Sequence, residues 1–456
     1  MSPADDGPAA DGGPGRPVLA RRLGLRDAVL LGLGSMVGAG IFAAVSPAAL
    51  AAGRWLPLAV VLAGAVAWLN ATSSGRLAAV HPEAGGTYAY ATARLGRRRG
   101  HLAGWAFVVG KTASCAAMAS TIGAYALPGH ARWTALGALL VVVLLGTGGI
   151  RRGARLTRVT LAVAGVALLL VVVTAWFGPA PVAAEASWGA IVFEPPGWFT
   201  ETVWRLRMWG LRPFDSFSGY GVLQAAGLMF FAFAGYARVA TLGEEVREPR
   251  RTIPRAIGLA LALTVALYLV VVLSALHAAG PGGLVGRADP LVGLVSGLPG
   301  GWAETVVRVG AVAASAGALL GLLLGVSRVL FAMARDGHLT WRLTHVRHGV
   351  PDYAEWFVAA VVALLVLVAD LREVIGFSSV TVLTYYALTH LAAWRLGPGE
   401  GRPATVVLLL GLTGCAVLAL TLPVLSVLVG VVVLGVGVVT GWVTSRRVTP
   451  STPSAA

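Results

Sequence analysis

Lys111 is the only lysine in the chain, and it stands inside the apolar stretch Val109-Gly110-Lys111-Thr112-Ala113-Ser114. Taken as lying nine residues into a bilayer-crossing helix, it sits roughly 13 Å deep at 1.5 Å of rise per residue. An ionisable group at that depth is costly and is by default a functional candidate. A buried lysine can also change charge near neutrality, which suits it to carry or sense a proton. The bland alternative is a side chain whose stem snorkels its ammonium towards the headgroups. Thr112, Ser114 and Ser120 nearby favour a polar stripe that faces protein.

A second chemistry lies in the backbone. Gly32-Leu33-Gly34-Ser35-Met36-Val37-Gly38-Ala39-Gly40-Ile41-Phe42 puts glycines at positions 32, 34, 38 and 40 of one apolar run. Glycine loses the most backbone entropy in a helix, so the run favours local unwinding. Unwound backbone at membrane depth persists only where it is buried in protein or lines a cavity. Gly34 and Gly38 are also four apart, which fits a close helix–helix contact of the small-xxx-small type. Met229-Phe230-Phe231-Ala232-Phe233-Ala234-Gly235-Tyr236-Ala237-Arg238 places another glycine in mid-membrane, among small residues and aromatics. Two interrupted helices in matching positions of two halves point to the binding site of an inverted-repeat transporter. Their freed N–H groups suit a carboxylate and their freed carbonyls an ammonium, so the site suits a zwitterion.

The elements that must position these groups follow from composition. Of 456 residues, 57% are hydrophobic and 12% charged, and the mean hydropathy is +0.79. Soluble domains carry about 25% charged residues. The figures exclude a soluble domain, a disordered chain, a collagen-like fibre and a small disulfide scaffold, and indicate an all-α polytopic membrane protein. A span needs about 20 apolar residues. Twelve stretches qualify: 27–51, 56–78, 102–126, 133–149, 157–177, 219–241, 256–279, 306–333, 354–369, 374–394, 404–420 and 423–443. The chain then divides into a disordered tail (1–20), a first five-helix half (22–177) and an outer loop (178–218). A second five-helix half (219–395), a C-terminal helix hairpin (404–443) and a second tail (444–456) complete it. The first span is expected to stay as an anchor and not to be cleaved as a leader.

With both termini inside, 23 arginines fall in cytoplasmic segments and eight in outer ones, which satisfies the positive-inside rule. The net charge of +15 is thereby a matter of topology, and a nucleic-acid partner is not expected.

Five segments carry a family resemblance. Gly34–Phe42, Pro82–Tyr88, Phe230–Tyr236 with Gly243–Pro249, Ile253-Pro254-Arg255, and Ser327–Gly337 resemble, in the same order, the amino acid–polyamine–organocation (APC) permeases. The resemblance runs from about residue 22 to 395. It implies the five-plus-five inverted repeat of the LeuT type, two further C-terminal helices, and amino-acid transport by alternating access in the plasma membrane. Carried over by position, Val37, Gly38, Ala39, Gly40 and Ile41 would contact the backbone groups of the substrate. Phe231, Ala232, Phe233, Ala234 and Gly235 would do so from the other half, with Phe231 as an aromatic gate. Many relatives place an acidic residue where this chain has Ala237, and a lysine in span 5 where Thr160–Leu170 has none. Lys111 is expected to supply that missing positive group, bracing span 1 or titrating during the cycle.

The remaining signals are bland. All Asp and Glu fall in tails, loops or span ends, Asp27 and Glu83 being nearest to membrane depth, so a carboxylate proton relay has little support. Ser315 is a weak candidate sodium ligand. Gly110-Lys111-Thr112 lacks the upstream glycine of a phosphate-binding loop, since position 105 is Trp. Gly32-x-Gly34 does not complete a dinucleotide fingerprint. Asn70-Ala71-Thr72 is a sequon inside span 2, out of reach of modification. Cys115 and Cys415 are expected as small buried hydrophobes. His81, His338, His345, His348 and His390 show no metal-ligand spacing and are expected to be solvated. Glu244–Arg255 reads as a loop with Pro254 at the first turn of span 7, serving as surface anchor or as an inner gate of ion pairs. No cofactor, metal or catalytic residue is expected. The expected partners are an amino acid or amine, a coupling ion (H+) and lipid. A basic amino acid or polyamine antiporter is the alternative, and a transporter-like amino-acid sensor a more distant one.

Overall fold

The computed structural model describes residues 24–81, 86–147, 153–181, 216–236, 238, 246, 248–347 and 350–447. Among them the chain is helical, with one isolated bridge between Arg347 and Val350 and no named strand. Ten segments are long and apolar enough to cross a membrane, so the protein is polytopic and all-α. The helices expected for spans 9 and 11, Asp352–Val368 and Thr405–Thr421, have 17 residues each and are not among the ten. The outer loop expected at 178–218 lies mostly outside the described residues.

In chain order, the first span is three pieces: α1 (Leu25–Met36), α2 (Ala39–Ala43) and α3 (Val45–Ala52). Then come α4 (Leu56–Val80), the short α5 (Thr87–Leu95), α6 (Arg97–Ala126), α7 (Ala131–Thr147) and α8 (Gly153–Phe177). The second half holds α9 (Gly219–Phe233), α10 (Pro249–Leu284), the four-residue α11 (Pro290–Gly293), α12 (Trp302–Arg335), α13 (Asp352–Val368) and α14 (Leu371–Trp394). α15 (Thr405–Thr421) and α16 (Val424–Arg447) close the chain.

Burial sorts these helices into centre and rim. The most apolar window is 78% buried in α6, α9 and α14, but 28% in α8 and 22% in α16. The rim helices are the more hydrophobic ones, because their exposed Leu and Val face lipid instead of a polar solvent. The central helices carry the small and polar residues.

Three details depart from the sequence reading. α10 starts at Pro249, so Pro254 lies inside the helix instead of at its first turn. A proline at the first helical position needs no N–H partner there, which is why the start moves upstream. Glu244, Glu245 and Arg247 of the expected loop lie outside the described residues. The second departure concerns histidines expected in solvent. His338 and His390 are buried, as is His101. His338 packs edge-on to Tyr88 and lies 4.9 Å, ring to ring, from His101. The third is Glu355, in the first turn of α13, whose side chain is fully buried with no hydrogen-bond partner among the described residues.

His390 anchors a polar node between α4, α14 and α15. Its Nε2 lies 2.7 Å from Asn70 Oδ1, its Nδ1 lies 2.9 Å from Ser73 Oγ, and the Cys415 thiol donates to Asn70 Oδ1 at 3.2 Å. A neutral imidazole protonated on Nε2 satisfies both contacts at once. Cys115 and Cys415 are free and buried, as the sequence indicates. Replacing His390 with Leu leaves the Asn70 carbonyl and the Ser73 hydroxyl short of partners in an apolar setting. A loss of about 1–3 kcal/mol of stability is expected, read as a lower melting temperature of the detergent-solubilised protein; an unchanged melting curve contradicts the node's structural role.

Candidate functional site

The first helix breaks between Met36 and Ala39. Val37 has ψ 82° and Gly38 has φ −145° and ψ −142°, neither helical, and α2 then starts afresh. The opening turn of a helix has no intrahelical carbonyls for its N–H groups. α2 therefore presents the N–H groups of Ala39, Gly40 and Ile41 at the break. The glycines divide the two roles read in the sequence. A Cβ on Gly34 would overlap the Thr157 side chain on α8, so Gly34 serves close packing. A Cβ on Gly38 would lie 3.0 Å from Ala318 Cβ on α12, and one on Gly40 would overlap Ala232 on α9.

The second interruption read in the sequence is seen as the end of α9, where Ala234–Tyr236 tightens into a 3-10 turn, hereafter the second break; residues 237 and 239–245 beyond it lie outside the described residues. It lies directly against the first. A Cβ on Gly235 would overlap the Ser35 carbonyl, so only glycine lets these two backbones meet. All ten backbone positions expected at the site fall in this one region, Val37 to Ile41 on one side and Phe231 to Gly235 on the other. Val37, Ile41, Phe231, Ala232, Phe233 and Ala234 are buried.

The carbonyls released by the breaks are answered by side chains. Ser35 Oγ donates to Gly235 O at 2.9 Å, tying α1 to the second break. Tyr268 on α10 donates from its hydroxyl to Met36 O at 2.7 Å, with Ala232 O at 3.3 Å, so one phenol spans both breaks. Tyr125, at the far end of α6, donates to Phe42 O at 2.8 Å. Lys111 Nζ donates to Ala234 O at 3.1 Å and is only 5% exposed. The lysine thus braces the sixth span, where the sequence reading had considered the first. It does not snorkel: it stands midway along the 30-residue α6.

Sequence reasoning missed Tyr268 and Tyr125. Tyr268 is the one aromatic in Ala260–Leu273, and a hydroxyl in so apolar a run needs a partner. That was its available signal. Ser315, on α12 near the first break, is buried with no hydrogen-bond partner among the described residues. No group of three or more metal-ligating side chains occurs among the described residues.

Polar contacts close both ends of the bundle around this region. At one end Tyr88 donates to Asp336 Oδ2 at 2.7 Å, Arg94 pairs with Glu400 at 2.6 Å, and Arg158 pairs with Asp27 at 2.6 Å. The Arg94 hydrogen bonds hold the Glu400 carboxyl below its ordinary value. At the other end Arg308 pairs with Asp289 at 2.9 Å and donates to Tyr125 O at 3.0 Å.

Comparison with known proteins gives a consistent family. The sequence pattern of the family described as amino acid permease matches residues 23–455. Uncharacterized transporters of Mycobacterium tuberculosis and Mycobacterium bovis are each 50% identical over 422 residues, covering 92% of this chain and 90% of theirs. The branched-chain amino acid permease of Bacillus subtilis is 27% identical over 405 residues (83% of this chain, 81% of the permease). The vacuolar cationic amino acid transporter 4 of Arabidopsis thaliana is 28% identical over 417 residues, covering 84% of this chain and 65% of its own.

Tyr268→Phe removes the one donor shared by the two breaks and keeps the ring. A buried acceptor deprived of its partner costs about 1–3 kcal/mol. The variant is expected to melt earlier in detergent and to lose most substrate binding, whereas Phe at a site without this role would leave both unchanged.

Proposed function

The chain belongs to the amino acid permease family and so transports amino acids as a multi-pass membrane protein; from that premise we propose secondary active transport by alternating access, with the two helix breaks as the substrate site. The observation that carries this reading is the direct apposition of the breaks, with Gly235 against Ser35 and Gly40 against Ala232. One break offers N–H donors and the other offers carbonyl acceptors, and a zwitterion has one group for each. The substrate carboxylate would bind the N–H groups at Val37, Gly38, Ala39, Gly40 and Ile41. Its ammonium would take the carbonyls along Phe231, Ala232, Phe233, Ala234 and Gly235, sharing or displacing the donors that hold them, and Phe231 would close over it.

The two halves, 22–177 and 219–395, would form a LeuT-type inverted repeat, with twelve spans in all and both termini in the cytoplasm of a plasma-membrane protein. The arginine distribution in the sequence supports that orientation. Proton coupling, as symport or exchange, is supported by Lys111, an ionisable side chain bonded to a carbonyl of the second break.

Purified protein in liposomes is expected to take up a labelled amino acid, and to accumulate it when the proton gradient is present. A protonophore should abolish accumulation while leaving exchange. Accumulation that survives the protonophore would exclude proton coupling, and no uptake of any of the twenty amino acids would exclude the transport reading itself.

A further inference from the structure

We infer that Lys111 determines specificity: its buried ammonium at the second break confines the substrate to amino acids without a cationic side chain, and excludes polyamines. This rests on the proposed substrate site and narrows its chemistry. Three observations carry it. Lys111 Nζ is bonded at 3.1 Å to Ala234 O, one of the carbonyls available to a substrate ammonium, so a solute held there lies within a few ångströms of the lysine ammonium. The side chain is buried in the centre of α6, away from the screening of bulk solvent.

The third observation is what the region lacks. Among the described residues, the acids lie elsewhere. Asp27, Asp289, Asp336, Asp352 and Glu400 are held in contacts at the two ends of the bundle, and Glu355 is buried against Gly146 in the first turn of α13. Glu248, Glu304, Asp370 and Glu373 stand at the starts of α10, α12 and α14. The ionisable side chain beside Lys111 is the Cys115 thiol, one turn along the same helix.

Charge balance then orders the substrates. A zwitterion brings its own carboxylate and leaves the region with one net positive charge, that of the lysine. An acidic side chain cancels even that. A cationic side chain raises the total to two, and a polyamine raises it further, with no carboxylate of the described residues beside the site to answer either. Like charges a few ångströms apart in a partly dry interior repel strongly enough for a discrimination of about tenfold or more. A lysine that merely braced the helix would stabilise the fold without sorting solutes by charge.

The test measures competition for labelled leucine uptake in liposomes containing the full chain, using unlabelled leucine, glutamine, glutamate, arginine, lysine and putrescine. In the wild type, arginine, lysine and putrescine are expected to compete about tenfold or more weakly than glutamine. In Lys111→Met that gap is expected to shrink, and in Lys111→Arg, which keeps the charge, to persist. Arginine or putrescine competing as well as glutamine in the wild type overturns the inference, as does a gap unchanged in Lys111→Met. If Lys111→Met does not fold, the wild-type ranking and Lys111→Arg still decide. Uptake of amino acids with cations among the best substrates removes this inference alone; the absence of all amino-acid uptake removes the underlying site as well.

Discussion

In a medium without water, a backbone that leaves its helix must find every hydrogen-bond partner inside the protein. That constraint organises this molecule. The interruptions at Val37–Gly38 and Ala234–Tyr236 expose carbonyls in the core, and side chains from two other helices and from the broken helix itself come to meet them. Tyr268 arrives from α10, Lys111 from α6, and Ser35 from the helix that is itself broken. The central position of α6 follows from this duty as much as from packing. It is also why the most buried helices are not the most apolar ones.

The donors that satisfy the breaks are exchangeable in a way that a continuous helix is not. An intrahelical hydrogen bond is lost only by unwinding, whereas a phenol or an ammonium can swing away and yield its acceptor to a solute. The closure at the two ends has a similar character. Arg158–Asp27 and Arg94–Glu400 are partly exposed pairs of the kind that contribute little net stability. Contacts that weak tie helices together without fixing them, as the proposed alternating access requires. The Tyr88–Asp336 contact is better sheltered, and burial beside Arg97 pushes the His338 imidazole below its ordinary value.

Much of this was legible in the residues, for physical reasons that differ by element. The long apolar runs and glycine clusters act locally, so ten of the twelve expected spans, the break at Val37–Gly38 and the end of α9 at Ala234–Tyr236 could be located from sequence alone. Gly34 and Gly38 were ambiguous between packing and unwinding, and the fold assigns one role to each. What could not be read was long-range partnering. Nothing near Tyr268 says that its hydroxyl reaches Met36, 232 positions away. Lys111 was recognised as costly, but the helix it would brace depends on how α6 faces α9. His390 and His338 looked solvated because position along the chain does not reveal which polar side chains will share a buried node.

The most direct test is a structure determined with a saturating neutral amino acid. The account predicts the solute between the breaks, its carboxylate on the N–H groups of Ala39–Ile41 and its ammonium on carbonyls between Phe231 and Gly235. A solute bound elsewhere, with the contacts of Ser35, Tyr268 and Lys111 to the two breaks unchanged, would contradict it.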